Sequence, residues 1–224
     1  MEETMTNMKK VMVVVVMVMT AFASWGAAPD ISDSSLPAPQ MTGGKPFMRV
    51  LKERQTSREF SNKKLPPQLL SDLLWAAFGI NRPESGKRTA PSARNWQEIE
   101  IFVIMEEGAY LYDPQLNKLK GVVKGDLRRL AGTPDFVAKA PLNLVYVADT
   151  TKMKGASTED QALYSGADTG FIGQNVYLFC ASEGLATVVR GSVDRKALAA
   201  ALRLPDHKKI TLAQTVGYPS AGGR

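Results

Sequence analysis

The sequence predicts a single α+β domain in which helices and strands are mixed along the chain. Segments with helical periodicity alternate with strand-like apolar runs, but their spacing is too irregular for repeated βαβ units. Two of the strand-like runs are separated by a short Glu-Glu-Gly turn, which predicts an antiparallel hairpin. The length of 224 residues is enough for a sizeable core, and no linker divides the chain after residue 44.

The helices are predicted from apolar residues that recur every three or four positions and from their end signals. Pro66 and Pro67 mark the start of the second helix, and Gly79 marks its end. The longest helix is apolar on nearly all sides, which predicts burial at the centre of the domain or in a subunit interface. The predicted helical segments are residues 45–54, 66–79, 126–131, a short turn after Pro134, 165–183 and 194–202.

The strands are predicted from short runs that are rich in β-branched and aromatic residues. Residues 100–105 and 109–112 form the predicted hairpin. The uniformly apolar run over residues 142–148 indicates a buried strand. Two further strands are predicted at residues 185–190 and 211–216.

Residues 1–28 are predicted to be a secretory signal peptide. Lys9 and Lys10 precede an uncharged run over residues 11–23, which is too short for a membrane span of about 20 residues. Small residues that suit cleavage follow it, ending at Ala23 or at Ala28. We therefore expect an exported protein, periplasmic or secreted, without a stable membrane anchor; a buried amino-terminal helix or strand is the alternative. Residues 29–44 are predicted to be a Pro/Ser/Gly-rich tether or extended arm, and residues 45–224 the folded domain.

The composition excludes several kinds of site. The chain has one cysteine, Cys180, and one histidine, His207, so it can build neither an intrachain disulfide nor a thiolate or multi-histidine metal site. No metal site is predicted, and Cys180 lies in an apolar setting that indicates a buried thiol. The net charge of +6 does not by itself predict a nucleic-acid partner. The sequence also lacks the glycine-rich phosphate loops of common nucleotide-binding folds.

Two clusters of polar residues are candidates for binding. Arg54 and Arg58 are four positions apart with hydroxyl groups between them, and their guanidinium groups could converge on a phosphate. A solvated helix end is the alternative for this cluster. Residues 88–97 combine proline, small residues and amides, which suits the edge of a flat heteroaromatic ligand. A plain loop before the strand is the alternative there.

In their order along the chain, these segments resemble the FMN-dependent nitroreductase superfamily and, within it, the SagB-type (thiazole/oxazole dehydrogenase-like) branch. The resemblance covers about residues 45–219, nearly the whole chain after the predicted signal peptide. No single segment is specific to this family, but the occurrence of several segments in the family's order is specific. The matching segments are Arg54-x-Thr56-Ser57-Arg58-x-Phe60, residues 73–79 (LLWAAFG), 88–95 (RTAPSARN), 166–178 (GADTGFIGQNVYL), 184–187 (GLAT), Arg190-Gly191 and 216–219 (VGYP).

The resemblance implies a nitroreductase-like fold, in which helices flank a central, mostly antiparallel sheet. It also implies a homodimer with FMN bound at the subunit interface, and it assigns the long predicted helix to that interface. Asp168 and Asn175 on this helix would then be structural rather than catalytic. The partners implied are a small-molecule electron donor and acceptor.

The first cluster matches the family's segment for the FMN phosphate. Arg54, Thr56 and Ser57 would contact the phosphate and the ribityl chain. Arg58 would reach the N1 and C2 side of the ring, where a cation stabilises the negative charge that develops on reduction.

The second cluster matches the family's segment along the flavin ring. Asn95 would hydrogen-bond the ring edge. Pro91, Ser92 and Ala93 would supply close backbone contact with it.

The remaining site residues follow from later segments. Arg190 and Gly191 would pass the ring near N5, although many relatives have Glu-Gly there. Arg224 is the candidate for the family's last phosphate contact. Tyr164 is a candidate for a substrate contact.

The resemblance implies an oxidoreductase whose reactive group is the flavin, without a catalytic side chain of its own. Donor and acceptor would use one cleft in turn, which is a ping-pong mechanism. One alternative is a secreted protein that binds an anion or another solute, and another is a degenerate family member without catalysis. The identity of the substrate is not predicted. The identity of the reductant is not predicted either, because NAD(P)H is not expected outside the cytoplasm.

Overall fold

The structure is a computed structural model and describes residues 31–221. The predicted signal peptide and Arg224 therefore lie outside the described residues.

The described chain contains one large antiparallel sheet. Its strands and those of a separate small hairpin are β1 (Ser34–Ser35), β2 (Ile80–Arg82), β3 (Lys87–Arg88), β4 (Ile99–Ile104), β5 (Gly108–Asp113), β6 (Lys118–Lys124), β7 (Leu142–Asp149), β8 (Ala186–Arg190) and β9 (Lys208–Gly217). The large sheet has the order β1-β6-β5-β4-β7-β9-β8, and each neighbouring pair is antiparallel. β2 and β3 pair only with each other.

Helices cover both faces of this sheet. They are α1 (Phe47–Glu53), α2 (Pro67–Phe78), α3 (Phe136–Lys139), α4 (Thr158–Glu183) and α5 (Arg195–Ala201). Single 3-10 turns lie at Ala93–Asn95, Arg128–Ala131 and Thr150–Lys152. The predicted α+β class, with a mostly antiparallel sheet flanked by helices, is confirmed.

The long helix α4 begins seven residues earlier than the sequence pattern predicts. Ser157 caps its first turn by accepting a hydrogen bond from the amide of Asp160 at 3.0 Å. The first turns are mainly exposed, so they lack the apolar positions from which a helix is usually predicted. Gly184, in the left-handed conformation, ends the helix.

Alternate residues of the central strands pack into two apolar clusters on opposite faces of the sheet. On one face, Ile101 of β4 and Leu144 of β7 pack with α2 and α4. On the other face, Phe102 and Val145 pack with α5 and with the short turns before β7. This two-residue alternation explains why β7, apolar at nearly every position, is buried on both sides.

The amino-terminal segment of the described chain lies against the outer edge of the sheet. Asp33 accepts a hydrogen bond from the amide of Gly121 and pairs with Lys118, and residues 34–35 form the edge strand β1. Gly121 must be small here, because a Cβ atom would collide with the backbone of Ile31. The segment therefore covers the edge of β6, which sequence patterning did not predict as a strand because lysines interrupt its apolar residues.

Across residues 31–221, no helix is both long enough and apolar enough to cross a bilayer.

Candidate functional site

A cavity of about 580 Å³ opens between α1, α4 and β8. Arg54 and Ser57 of the first predicted cluster lie in its wall, where α1 ends and the chain becomes extended, whereas Thr56 and Arg58 do not line it. The polar residues that line it include Lys45, Lys52, Arg54, Ser57, Tyr177 and Thr187. The cavity therefore joins a basic segment of α1 to hydroxyl groups from the long helix and the sheet.

The extended segment after α1 is held by the sheet on one side and by the carboxyl-terminal segment on the other. The amide of Ser57 donates to the carbonyl oxygen of Thr187 in β8 at 3.0 Å. Phe60 is buried and forms a bridge with Pro219. The amide of Ser220 donates to the carbonyl oxygen of Glu59 at 3.3 Å. This arrangement brings the end of the described chain beside the first cluster.

Tyr177 of α4 organises the hydroxyl groups of the cavity. Its phenolic oxygen accepts a hydrogen bond from the amide of Val189 at 3.0 Å. The phenolic proton is therefore free to be donated to the hydroxyl oxygen of Thr56, also at 3.0 Å. The guanidinium group of Arg54 lies over the tyrosine ring, 5.3 Å from its centroid. Sequence patterning did not single out Tyr177 and missed this role.

The charges around the cavity favour an anion. Arg49 and Lys45 both donate to Glu53, and these hydrogen bonds lower the pKa of Glu53 to about 2. Within residues 31–221, Arg54 and Arg58 belong to no ion pair. Arg58 is exposed, whereas Arg54 is half-buried at the cavity wall. Arg54 is therefore the better placed of the two to meet a negatively charged group inside the cavity.

The second predicted cluster lies beside the amino-terminal half of α4. The amide of Ala93 donates to a carboxylate oxygen of Asp168 at 2.9 Å, and Trp96 packs edge-on against Tyr164 with ring centroids 5.8 Å apart. Pro91 and Asn95 are exposed and Ser92 is half-buried. The loop thus presents its polar groups at the surface while its backbone is anchored to the helix.

One chain does not bring the two clusters together around a single cavity. The first cluster contacts Tyr177 and the second contacts Asp168, nine residues apart on α4 and about 13 Å along its axis. None of residues 88–97 lines the cavity next to Arg54. The two clusters therefore lie at separate places along α4 within one chain.

Arg190 does not present its side chain to the cavity. Its guanidinium group is buried and donates to Asn143 at 2.8 Å and to Thr215 at 2.9 Å, and also to the carbonyl oxygen of Ala131. Burial lowers the pKa of Arg190 to about 10, so the group stays charged at neutral pH. A contact from Arg190 to a ligand in the cavity would have to come from its backbone, and the neighbouring Gly191 is exposed.

The other predicted positions on the long helix have different surroundings. Tyr164 is partly exposed, whereas Asp168 is buried and anchors the Ala93 amide. Asn175 donates weakly to the carbonyl oxygen of Ala77 at 3.5 Å. Cys180 is buried as expected, and burial raises the pKa of its thiol. Among the described residues, no group of three or more His, Cys, Asp or Glu side chains is placed to hold a metal ion.

Comparisons with known proteins agree on one family. The sequence model described as "Nitroreductase family" matches residues 51–218. A nitroreductase-like protein of Methanocaldococcus jannaschii is 32% identical over 153 residues, which cover 64% of this chain and 77% of that protein. The crystal structure of a nitroreductase-like protein from Ralstonia eutropha has a TM-score of 0.81 and 38% identity, and the match covers 89% of this chain and 97% of the other.

A more distant structure shares the fold. It is the NADPH:FMN oxidoreductase of Vibrio harveyi in complex with NAD+, with a TM-score of 0.59 and 17% identity, and the match covers 78% of this chain and 69% of the other. The nitroreductase-like fold predicted from the sequence is therefore confirmed.

Replacing Arg190 with methionine should destabilise the fold. Arg190→Met leaves the carbonyl oxygen of Ala131 and the hydroxyl oxygen of Thr215 buried without their donor and removes one of two donors to Asn143, which we expect to cost about 2–4 kcal/mol in the free energy of unfolding. Urea unfolding measures this loss. Lys196→Met, at an exposed position on α5, is the matched control and should change the stability by less than about 0.5 kcal/mol. Equal stability of the two variants would contradict the role of Arg190.

Proposed function

Because the chain belongs to the nitroreductase family, we propose that it is an FMN-dependent oxidoreductase of the SagB-type branch that acts on a small molecule by a ping-pong mechanism. The family indicates flavin-dependent redox chemistry, and the choice of FMN and of the branch rests on the motifs around Arg54 and Asn95. The observation that carries the proposal is the cavity next to Arg54, in which a cation without an ion pair among residues 31–221 lies beside hydroxyl groups.

The residues of the cavity fit the phosphate end of FMN. A phosphate dianion needs cationic and hydroxyl donors, and Arg54, Lys52 and Ser57 offer them at one wall. The volume of about 580 Å³ lies in the usual range of small-molecule and cofactor sites. The fold is also that of the Vibrio harveyi protein, whose name includes FMN as a reactant.

The protein's part in the reaction is to bind and orient the cofactor. Bound FMN would supply hydride and electron transfer between a donor and an acceptor that use the cleft in turn. Arg54, Thr56 and Ser57 would hold the phosphate and ribityl chain. Arg58, exposed and in no ion pair within the described chain, would supply positive charge at the ring.

The ring-edge contacts would come from a second copy of the chain. The loop that carries Pro91, Ser92, Ala93 and Asn95 lies along α4 at a distance from the cavity, so we propose a homodimer that joins the two half sites. The surface of α4 supports this proposal, because the large apolar side chains of Leu163 and Phe171 are 62% and 48% exposed. Phe47 and Met48 on α1 extend the exposed apolar surface.

We also propose that the protein is exported after removal of residues 1–28. The proposal rests on the apolar run that follows Lys9 and Lys10. Export would leave the identity of the electron donor open, because NAD(P)H is not expected outside the cytoplasm.

The FMN site is tested by binding measurements on the purified chain. The native protein should turn yellow with FMN, and Arg54→Ala should weaken FMN binding by about ten- to a hundredfold because a charge-assisted hydrogen bond to phosphate is lost. Arg58→Ala should weaken it as well. Arg129→Ala removes an equal charge at an exposed position and is the control. Binding of inorganic phosphate with no binding of FMN would refute the proposal and favour the anion-binding alternative.

The homodimer is tested by a charge at its proposed interface. Phe171→Glu should convert the dimer to monomer in sedimentation analysis and reduce FMN binding with it, because a carboxylate would be buried without a partner. Leu116→Glu places the same charge on an exposed turn between β5 and β6 and should leave the dimer intact. A native monomer that binds FMN with full affinity would contradict an interface site.

Export is tested by the intact mass of the protein recovered from outside the cytoplasm. The mass should correspond to a chain that begins after Ala23 or after Ala28. A retained start at Met1 or Met8 would show that residues 1–28 are not a cleaved signal peptide.

A further inference from the structure

Glu98, the residue before β4, has a buried carboxyl group that the proposed function does not use. Its side chain is fully buried, and among residues 31–221 neither carboxyl oxygen has a hydrogen-bond partner. The carboxyl group of Asp168 on α4 is also buried, and it lies close enough for its negative charge to raise the pKa of Glu98. Two ionised carboxylates can only accept, so this pair forms a hydrogen bond only when it holds a proton.

The surrounding charges indicate which of the two groups carries that proton. Burial, together with the negative charge of Asp168, raises the pKa of Glu98 to about 7. Burial also raises the pKa of Asp168, but the hydrogen bond from the Ala93 amide favours its ionised form. The positive charge of Lys152, on the 3-10 turn after β7, lowers the pKa of Glu98 but by less than burial raises it, and the Nζ atom of Lys152 is also 3.6 Å from Glu100 of β4. The proton therefore belongs to Glu98, and Asp168 keeps its charge.

Asp168 anchors a loop whose backbone is unusual. Just after Ala93, the residues Arg94, Asn95 and Gln97 have φ angles of 49°, 56° and 49°. Residues other than glycine rarely adopt this left-handed conformation unless the surrounding contacts impose it. The amide of Gln97 donates to the hydroxyl oxygen of Ser92 at 3.0 Å, which closes the turn on itself. The hydrogen bond from Ala93 to Asp168 connects this turn to the long helix, beside the packing of Trp96 against Tyr164.

We propose that Glu98 and Asp168 share one proton, that this pair fixes the amide of Ala93, and that it thereby positions the loop of residues 91–95 for flavin binding. Only the last step rests on the proposed FMN site. Loss of the proton would place two negative charges side by side in a buried space. The pair would then separate, the Ala93 amide would lose its partner, and affinity for FMN would fall. Both residues are positioning residues, since they act through the loop.

The anchor can be tested without flavin. Hydrogen exchange of the Ala93 amide, followed by NMR on the native flavin-free chain, should show at least a tenfold loss of protection between about pH 5.5 and pH 8.5. Glu98→Gln keeps a donor toward Asp168 at every pH, so its Ala93 protection should not change over this range. Glu106→Gln, at an exposed position in the β4–β5 turn, is the control and should behave like the native chain.

Stability and FMN affinity should follow the same titration. Between 4.5, the ordinary pKa of a glutamate, and about 7, the folded chain holds a proton that the unfolded chain has lost. The melting temperature of the flavin-free native chain should therefore fall as the pH rises through this window, and FMN affinity should fall by about tenfold or more by pH 8.5. Glu98→Gln has no titrating carboxyl group at this position. Its melting temperature and its FMN affinity should therefore lose the pH dependence that this pair contributes.

The outcomes separate the two proposals. Equal pH dependence of Ala93 protection in the native chain and in Glu98→Gln would overturn the shared proton. If that variant does not fold, infrared spectroscopy of the native chain decides: a protonated buried carboxyl near pH 6 supports the pair, and its absence overturns it. A native chain that fails to bind FMN at every pH would refute the proposed function, while Ala93 exchange would still decide whether the anchor exists.

Discussion

The position of the cavity depends on the buried side chain of Gln214 in β9, which ties the long helix to the sheet. Its carbonyl oxygen accepts from the hydroxyl of Tyr146 at 2.6 Å, and its amide nitrogen donates to the backbone of Gly173 at 3.3 Å and to Thr187 at 3.1 Å. Each polar atom of this fully buried group is paired, so the network joins α4, β7, β8 and β9. Thr187 then faces the cavity beside Tyr177.

This attachment leaves α4 with two kinds of surface. Its inner side packs on the sheet through Ile172, Val176 and Cys180, and its outer side exposes Leu163 and Phe171. The two candidate binding clusters lie at different levels along the same helix. The two clusters are therefore separate in a single chain. In the homodimer that we propose, a partner would cover the exposed apolar residues of α4 and join the clusters.

Charged groups buried near the site were the hardest features to predict. Arg190 belongs to a family motif, yet its side chain lies in a network with Asn143 and Thr215 on the sheet face away from α4. The alternation of β8 explains this, because Thr187 and Val189 face the helix and the next residue must face away. The burial of Glu98 could not be predicted from the sequence, because a glutamate before a strand usually lies in solvent. Its burial results from the tertiary packing around it.

The types of most elements, the basic cluster after α1 and the family can be predicted from short segments, because helical periodicity, strand-like runs and motif order are local properties. The tertiary structure alone decided which of these segments meet. The amide of Ala93 reaches Asp168 across 75 positions of the chain, and Arg190 reaches Ala131 across 59. Contacts over such separations depend on how the helix and strands pack together, so local patterns carry no record of them. For this reason the basic cluster after α1 was predictable from its residues, while the separation of the two clusters along α4 and the burial of Glu98 were not.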